Sequence, residues 1–190
     1  MANLQEKLDL EFGRRNIMRL ELPEFFETGL NPTRILRPYQ EDCFRYFLTY
    51  MNPDNEFEGK QTRPHLLFHM ATGSGKTLIM AGAMLFLYDI GYRNFLFFVD
   101  NTNIIEKTKD NFLNPSSSKY LFAPQIFIDG KRIEIRSVEN FQGTSKDCIN
   151  LCLCTIQELH SNLIQKRKMP LPMRIFLISQ WYSFPMKPII

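Results

Sequence analysis

A glycine-rich octapeptide, MATGSGKT from Met70 to Thr77, has the residue types needed to hold phosphate groups. Its glycines let the backbone curl round an anion, and Lys76 is long enough to reach the outer phosphates of a nucleotide. The Thr77 hydroxyl would bind the magnesium ion that bridges those phosphates. Met70 stands where the strict pattern has glycine. The motif predicts a nucleotide-binding loop, with contacts from Thr72, Gly73, Ser74, Gly75, Lys76 and Thr77.

A strand before this loop and a helix after it are the context that the motif requires. HLLFH, His65–His69, is an apolar run that predicts a short strand, and the chain from Lys76 to about Ile90 predicts a helix. Further strands are predicted over Arg93–Asp100 and Asn150–Ile156. Both runs are nearly continuous in hydrophobicity, as strands buried on both faces are.

Other elements complete an alternating order of strands and helices. Helices are predicted over Pro38–Met51, with Phe44, Phe47 and Leu48 on one face, and over Asn103–Phe112. QIFIDGKRIEIR has an Asp-Gly turn between alternating runs and predicts a hairpin. Strands and helices that alternate with short joins predict an α/β fold with a parallel, doubly wound sheet.

Composition excludes several classes of protein. The 190 residues are 44% hydrophobic and 23% charged, which is ordinary for a globular domain. We expect neither a membrane span nor a secretion signal, because no long uncharged apolar run is present. The four cysteines lack the spacing of a zinc site, so free thiols and a cytoplasmic location are expected. His65 and His69 have no cysteine or carboxylate near them that would complete a metal site.

The composition changes abruptly near the end of the chain. No Asp or Glu follows Glu158, and the tail has neither helical nor strand periodicity. Taking the tail's five basic residues from the formal net charge of +3 leaves the first 165 residues at −2, which gives no sign of nucleic-acid binding by bulk charge. Those basic residues are Lys166, Arg167, Lys168, Arg174 and Lys187.

The stretch LRPYQ, Leu36–Gln40, together with the long segment from LLFHMATGSGKT to KTKDNFL, resembles superfamily-two helicases. More specifically, it resembles the restriction subunit of type III restriction-modification enzymes, over residues 35–164. The resemblance implies a partial RecA-like ATP-binding domain over 35–164. Residues 1–34 are predicted from their own pattern to be a leader with one short helix, Glu24–Thr28, bounded by Pro23, Gly29 and Pro32. The resemblance also implies that Gln40 binds the adenine edge of ATP.

The resemblance further implies contacts with DNA and with a partner modification subunit, which carries the recognition of the DNA sequence. Two polar stretches follow the predicted strands at the family's motif positions, where side chains and amides contact phosphates of one DNA strand without reading the bases. These residues also suit helix caps or solvated loops. They are Asp100, Asn101, Thr102, Thr155 and Gln157.

The family's Asp-Glu-Ala-His box, which holds magnesium and orients the attacking water, has no counterpart in the chain, so no catalytic residue is assigned. The offset reading frame can encode it. Joining the last base of the Met186 codon to the first two of the Lys187 codon gives glutamate for any codon choice, and the neighbouring codons permit Asp-Glu-Ala-His-His. We therefore predict that residues 165–190 are an out-of-frame tail and that the isolated chain neither hydrolyses ATP nor cleaves DNA.

Three alternatives remain open from the sequence. The chain would instead be a fragment of another superfamily-two DNA or RNA helicase, or a small P-loop phosphotransferase, although acceptor-site acids and a basic lid are missing from it. It would otherwise be a nucleotide-binding or interaction protein that does not hydrolyse its ligand and uses the basic tail as a real element.

Overall fold

A computed structural model describes residues 3–62, 64–164 and 175–179 of the chain. From Lys76 onward the described elements follow in the order helix, strand, helix, three strands, helix, strand. The helices are α1 (Leu4–Leu8), a π-helical turn (Asp9–Gly13), α2 (Arg14–Met18), α3 (Phe25–Thr28), α4 (Pro38–Met51), α5 (Lys76–Asp89), α6 (Thr102–Phe112) and α7 (Ile156–Ile164). The strands are β1 (Asn94–Val99), β2 (Ile126–Ile128), β3 (Lys131–Ser137), β4 (Cys148–Thr155) and β5 (Ile175–Ser179).

The strands form one five-stranded sheet in the order β2-β3-β4-β1-β5. Strands β3, β4, β1 and β5 are parallel to one another, and β2 pairs antiparallel with β3. The predicted α/β class is confirmed: a mostly parallel sheet flanked by helices forms a partial RecA-like domain.

Both faces of β1 are covered, which explains its continuous hydrophobicity. Phe95, Phe97 and Val99 belong to the main core with α4, α5 and α6. Leu96 points to the other face and packs in a smaller cluster with Cys152 of β4 and Leu159 of α7. The four cysteines of the chain are free thiols.

Helix α5 is apolar on almost all sides because other elements surround it. Gly82 lies where α5 meets α4, and a Cβ there would overlap the ring of Phe44 and lie 3.1 Å from the ring of Phe26. The missing side chain at Gly82 therefore allows α5 to pack closely against Phe44 of α4. None of the described helices is both long and apolar enough to cross a membrane.

The predicted hairpin is confirmed. Strands β2 and β3 are joined by Asp129 and Gly130, which have φ angles of 51° and 71°. Two successive residues with positive φ are typical of the type I′ turn that Asp-Gly favours.

The predicted strand over His65–His69 is wrong. The segment belongs to no described strand, and its burial alternates, with Leu66, Phe68 and Met70 packed against the core and Leu67 80% exposed. The alternation is that of a strand, but no described strand lies beside it to accept its ladder hydrogen bonds.

The first 34 residues contain more helix than the sequence predicts. The helix over Glu24–Thr28 is confirmed as α3, but α1, the π-helical turn and α2 were not expected. Asn3 and Glu6 form a capping box that starts α1. Leu8 and Ile17 then pack with Tyr50 of α4 in a separate small cluster.

The tail also differs from expectation, because Ile175–Ser179 forms β5 beside β1. A short apolar run of this length can form a strand without alternation, so the absence of a period did not exclude it. The rest of the predicted tail, 165–174 and 180–190, lies outside the described residues.

Candidate functional site

The glycine loop Met70–Gly75 leads directly into the first turn of α5. Gly73 and Gly75 have φ angles of 79° and 86°, which glycine adopts without strain. The Ser74 hydroxyl donates to the Ala71 carbonyl at 2.6 Å, and this bond closes the turn. The loop therefore presents backbone and a helix N-terminus at one place, the arrangement that binds anions.

Lys76 lies across the same loop. Its ammonium donates to the carbonyl oxygens of Met70 at 3.1 Å and Ala71 at 3.0 Å. The next residue, Thr77, is half-buried in the first turn of α5, and Thr72 and Gly73 are exposed. A cation, a hydroxyl and exposed loop backbone thus lie together, and they fit the polyphosphate of a nucleotide.

Few of the described side chains near the loop could bind magnesium. Among residues 3–62, 64–164 and 175–179, no group of three or more His, Cys, Asp or Glu side chains could hold a metal ion. Thr77 is the ligand that the sequence predicts, and its fit to magnesium depends on phosphate oxygens supplying most of the remaining coordination.

Gln40 lies against the loop and is 3% exposed. Its Oε1 accepts from the Arg37 backbone N–H at 2.9 Å, and its Nε2 donates to the Ser74 carbonyl at 2.9 Å. The carboxamide thus joins the start of α4 to the phosphate loop. The structure places Gln40 at the loop, and its contact with adenine stays a prediction.

Tyr39 was not predicted as a site residue. Its hydroxyl donates to the same Ser74 carbonyl at 2.8 Å and lies 3.3 Å from a guanidinium nitrogen of Arg37. Tyr39 belongs to the LRPYQ stretch, in which the family resemblance implies a ligand contact only for Gln40.

The polar residues at and after the carboxyl ends of β1 and β4 lie at the same end of the sheet. Val99 of β1 is level with Thr155 of β4, so the residues that follow the two strands lie side by side. Helix α5 runs back along the sheet and precedes β1, which brings its N-terminus and the phosphate loop to that same end. In open α/β sheets, ligands bind at the carboxyl ends of the strands.

The side chains at this edge differ in availability. Asp100, Asn101, Thr102 and Gln157 are exposed. The Asn101 side chain accepts from the Asn103 N–H at 2.8 Å and caps α6. Thr155 is buried, and its hydroxyl accepts from the Glu158 N–H at 3.1 Å, while the Glu158 carboxylate accepts from the Thr155 N–H at 2.7 Å. Capping is thus a role of Asn101 and Thr155, and contact with DNA stays a prediction for all five residues.

Comparison with known proteins gives one family. The family described as "Type III restriction enzyme, res subunit" matches residues 34–178. The chain is 39% identical over 145 residues to the "Probable type III restriction-modification enzyme HindVIP Res subunit" of Haemophilus influenzae. That match covers 75% of this chain but only 28% of the relative, so the chain corresponds to a small part of the relative's length. No solved structure matches the chain.

Proposed function

The chain belongs to the family of type III restriction enzyme Res subunits, and on that premise we propose that it binds ATP with Mg²⁺ as the first part of a DNA translocase. The observation that carries the proposal is the Lys76 ammonium held over a glycine loop at the N-terminus of α5. Phosphates would be held by Thr72, Gly73, Ser74, Gly75, Lys76 and Thr77, the adenine by Gln40, and magnesium by Thr77 through the nucleotide.

ATP hydrolysis is not proposed for this chain by itself. Phosphoryl transfer needs an acidic pair to hold the metal and orient water. No Asp or Glu follows Glu158 in the sequence, and the described residues hold no acidic cluster at the loop. When magnesium is bound it neutralises phosphate charge, while this chain's residues bind and orient the nucleotide without activating water.

Contact with DNA is proposed for the exposed strand-end residues. Asp100, Asn101, Thr102 and Gln157, with the backbone at Thr155, lie at the edge of the sheet that the phosphate loop shares. Polar side chains and amides there suit the phosphates of a DNA strand rather than its bases. For a full-length Res subunit of this kind, we further propose DNA translocation coupled to DNA cleavage. We also propose a modification subunit as its partner and a cytoplasmic location.

Two proposals compete for residues 165–190. An out-of-frame tail is supported by the loss of acids and by the box that the offset frame permits. A real sheet element is supported by β5 on β1 and by the family match, which reaches residue 178. Sequencing the gene from codon 160 onward separates them, because only the first predicts that one inserted base near codons 162–166 opens a frame with the acidic box.

ATP binding is tested by titrating the purified chain with ATP and Mg²⁺ in a calorimeter. The chain should bind, and Lys76→Ala should lose binding at least tenfold, since a charge-assisted phosphate contact contributes more than about 1.4 kcal/mol. A protein with the box restored should hydrolyse ATP faster with DNA present, and Lys76→Ala should abolish that activity. Equal binding by the chain and by Lys76→Ala would overturn the proposed function.

A further inference from the structure

The Ser74 carbonyl is the point where α4 holds the phosphate loop. It accepts from the Tyr39 hydroxyl at 2.8 Å and from Gln40 Nε2 at 2.9 Å. The side-chain hydrogen bonds from Ser74 to Ala71 and from Lys76 to Met70 and Ala71 lie within the loop and the first turn of α5. Among the described residues, the two side chains of α4 therefore restrain the loop by hydrogen bonds from outside it.

Restraint of this carbonyl also fixes a neighbouring amide. The Ser74 carbonyl and the Gly75 N–H belong to one planar trans peptide, in which they point in opposite directions. A carbonyl turned toward α4 therefore directs the Gly75 N–H away from α4. Because Gly75 adopts positive and negative φ with similar ease, this peptide would turn readily without the restraint.

The two donors are not equivalent. Gln40 is buried and also accepts from the Arg37 backbone N–H, so its carboxamide forms part of the N-terminal cap of α4. Tyr39 reaches the carbonyl by its terminal hydroxyl alone, with Arg37 at 3.3 Å as a donor to that hydroxyl. Removal of one oxygen atom from Tyr39 therefore tests the restraint and leaves the helix cap in place.

We propose that Tyr39 is a positioning residue for the bound polyphosphate, which acts by fixing the Ser74–Gly75 peptide so that the Gly75 N–H faces the ligand. This inference rests on the proposed nucleotide site and adds a residue to it. Tyr39 does not touch the phosphates, and its contribution passes through the peptide.

The test compares the chain with Tyr39→Phe, Tyr46→Phe and Lys76→Ala, with sodium tripolyphosphate and ATP as probes. Tyr46→Phe is the matched control, since its hydroxyl bonds to Asp9 at 2.6 Å in another part of the fold. We expect Tyr39→Phe to weaken both probes about three- to tenfold, the value of one hydrogen bond, and Tyr46→Phe to leave them unchanged.

A spectroscopic measurement tests the inference without ligand. In the free chain, Tyr39→Phe should shift the Ser74 carbonyl ¹³C and Gly75 amide ¹⁵N resonances, and Tyr46→Phe should not. Unchanged resonances, or binding by Tyr39→Phe equal to that of the parent chain while Lys76→Ala fails, would overturn the role of Tyr39 alone. Failure of the parent chain to bind either probe would instead overturn the nucleotide site and the inference with it.

Discussion

Among single residues, Gly75 is the position in the phosphate loop that tolerates a side chain least. Its φ angle is 86°, and an added Cβ would overlap the amide nitrogen of Gln40. We expect Gly75→Ala to abolish ATP binding and to cost about 2 kcal/mol of stability, from left-handed strain and displacement of Gln40. Calorimetric titration and urea unfolding measure the two effects.

Gly73→Ala is the matched control for that variant. Gly73 has a similar φ angle of 79°, but its Cβ would meet no atom within 4 Å. In Gly73→Ala only the backbone strain of about 1 kcal/mol should remain. This variant should therefore still bind ATP, although more weakly than the parent chain. Identical losses in the two alanine variants would show that contact with Gln40 does not matter.

Asp89 should give the stability of the chain a dependence on pH. Partial desolvation raises the pKa of its carboxyl, the Asp129 carboxylate adds to the rise, and Arg93 opposes it. The folded state thus holds this proton more tightly than the unfolded state. The contribution of Asp89 is most favourable below the unfolded pKa and is lost as the pH rises through the folded pKa.

Asp89→Asn removes this titration. Relative to the parent chain, the variant should become more stable as the pH rises from about 4 to about 7, a window that begins near the ordinary carboxyl pKa. Urea midpoints at several pH values measure the difference. A difference that stays constant with pH, or changes in the opposite direction, contradicts the raised pKa.

Among the helices, the contact of α4 with α5 depends on Gly82. Alanine normally favours a helix interior over glycine by about 1 kcal/mol. Here the added methyl would overlap Phe44, and overpacking costs about 1–3 kcal/mol. We expect Gly82→Ala to destabilise the chain, and Phe44→Leu to relieve part of that cost in the double variant. Additive losses in urea unfolding would exclude direct contact between the two positions.

The junction of β4 and α7 depends on the Thr155 hydroxyl and the Glu158 carboxylate, which bond reciprocally. Thr155→Ala should cost about 1 kcal/mol, as loss of an N-cap does, whereas Thr155→Ser should retain most of the stability. Thermal and urea unfolding of the two variants test this. A serine variant as unstable as the alanine variant would assign the loss to packing of the methyl group.

The elements that the sequence predicts well are those whose local signals agree with their tertiary surroundings. Pro38 at the start of α4, the continuous apolar run of β1 and the Asp-Gly turn each select one structure by local chemistry. His65–His69 has the composition of a strand, but a strand also needs a neighbour, and pairing is not a local property. The candidate site shows the same contrast. The sequence motif predicts a glycine loop before a helix, whereas the hydrogen bond from Tyr39 to Ser74 depends on how the chain folds.

For the whole molecule, unpaired backbone should promote association between chains. Strand β5 has β1 on one side and no described strand on the other, and no described strand pairs with the segment at Leu67, which is 80% exposed. Such edges pair with other chains unless they are covered. We expect sedimentation velocity to show association that increases with concentration, and Leu67→Lys to reduce it.

Ile35→Lys is the matched control, because Ile35 is 87% exposed but lies outside the segment His65–His69. It should leave the association nearly unchanged. Equal effects of the two lysine variants would attribute association to exposed apolar area in general, and a monomer at all concentrations would contradict open edges.

The small cluster of Leu8, Ile17 and Tyr50 has a consequence for how the chain opens. The first two helices contact the domain mainly through α4, where Tyr46 also bonds to Asp9, and they add nothing to the sheet. They can detach as a cooperative unit while the sheet stays folded. Amide protons there should therefore exchange with solvent sooner than those of β1 and β4, and a protease should nick this segment before the rest.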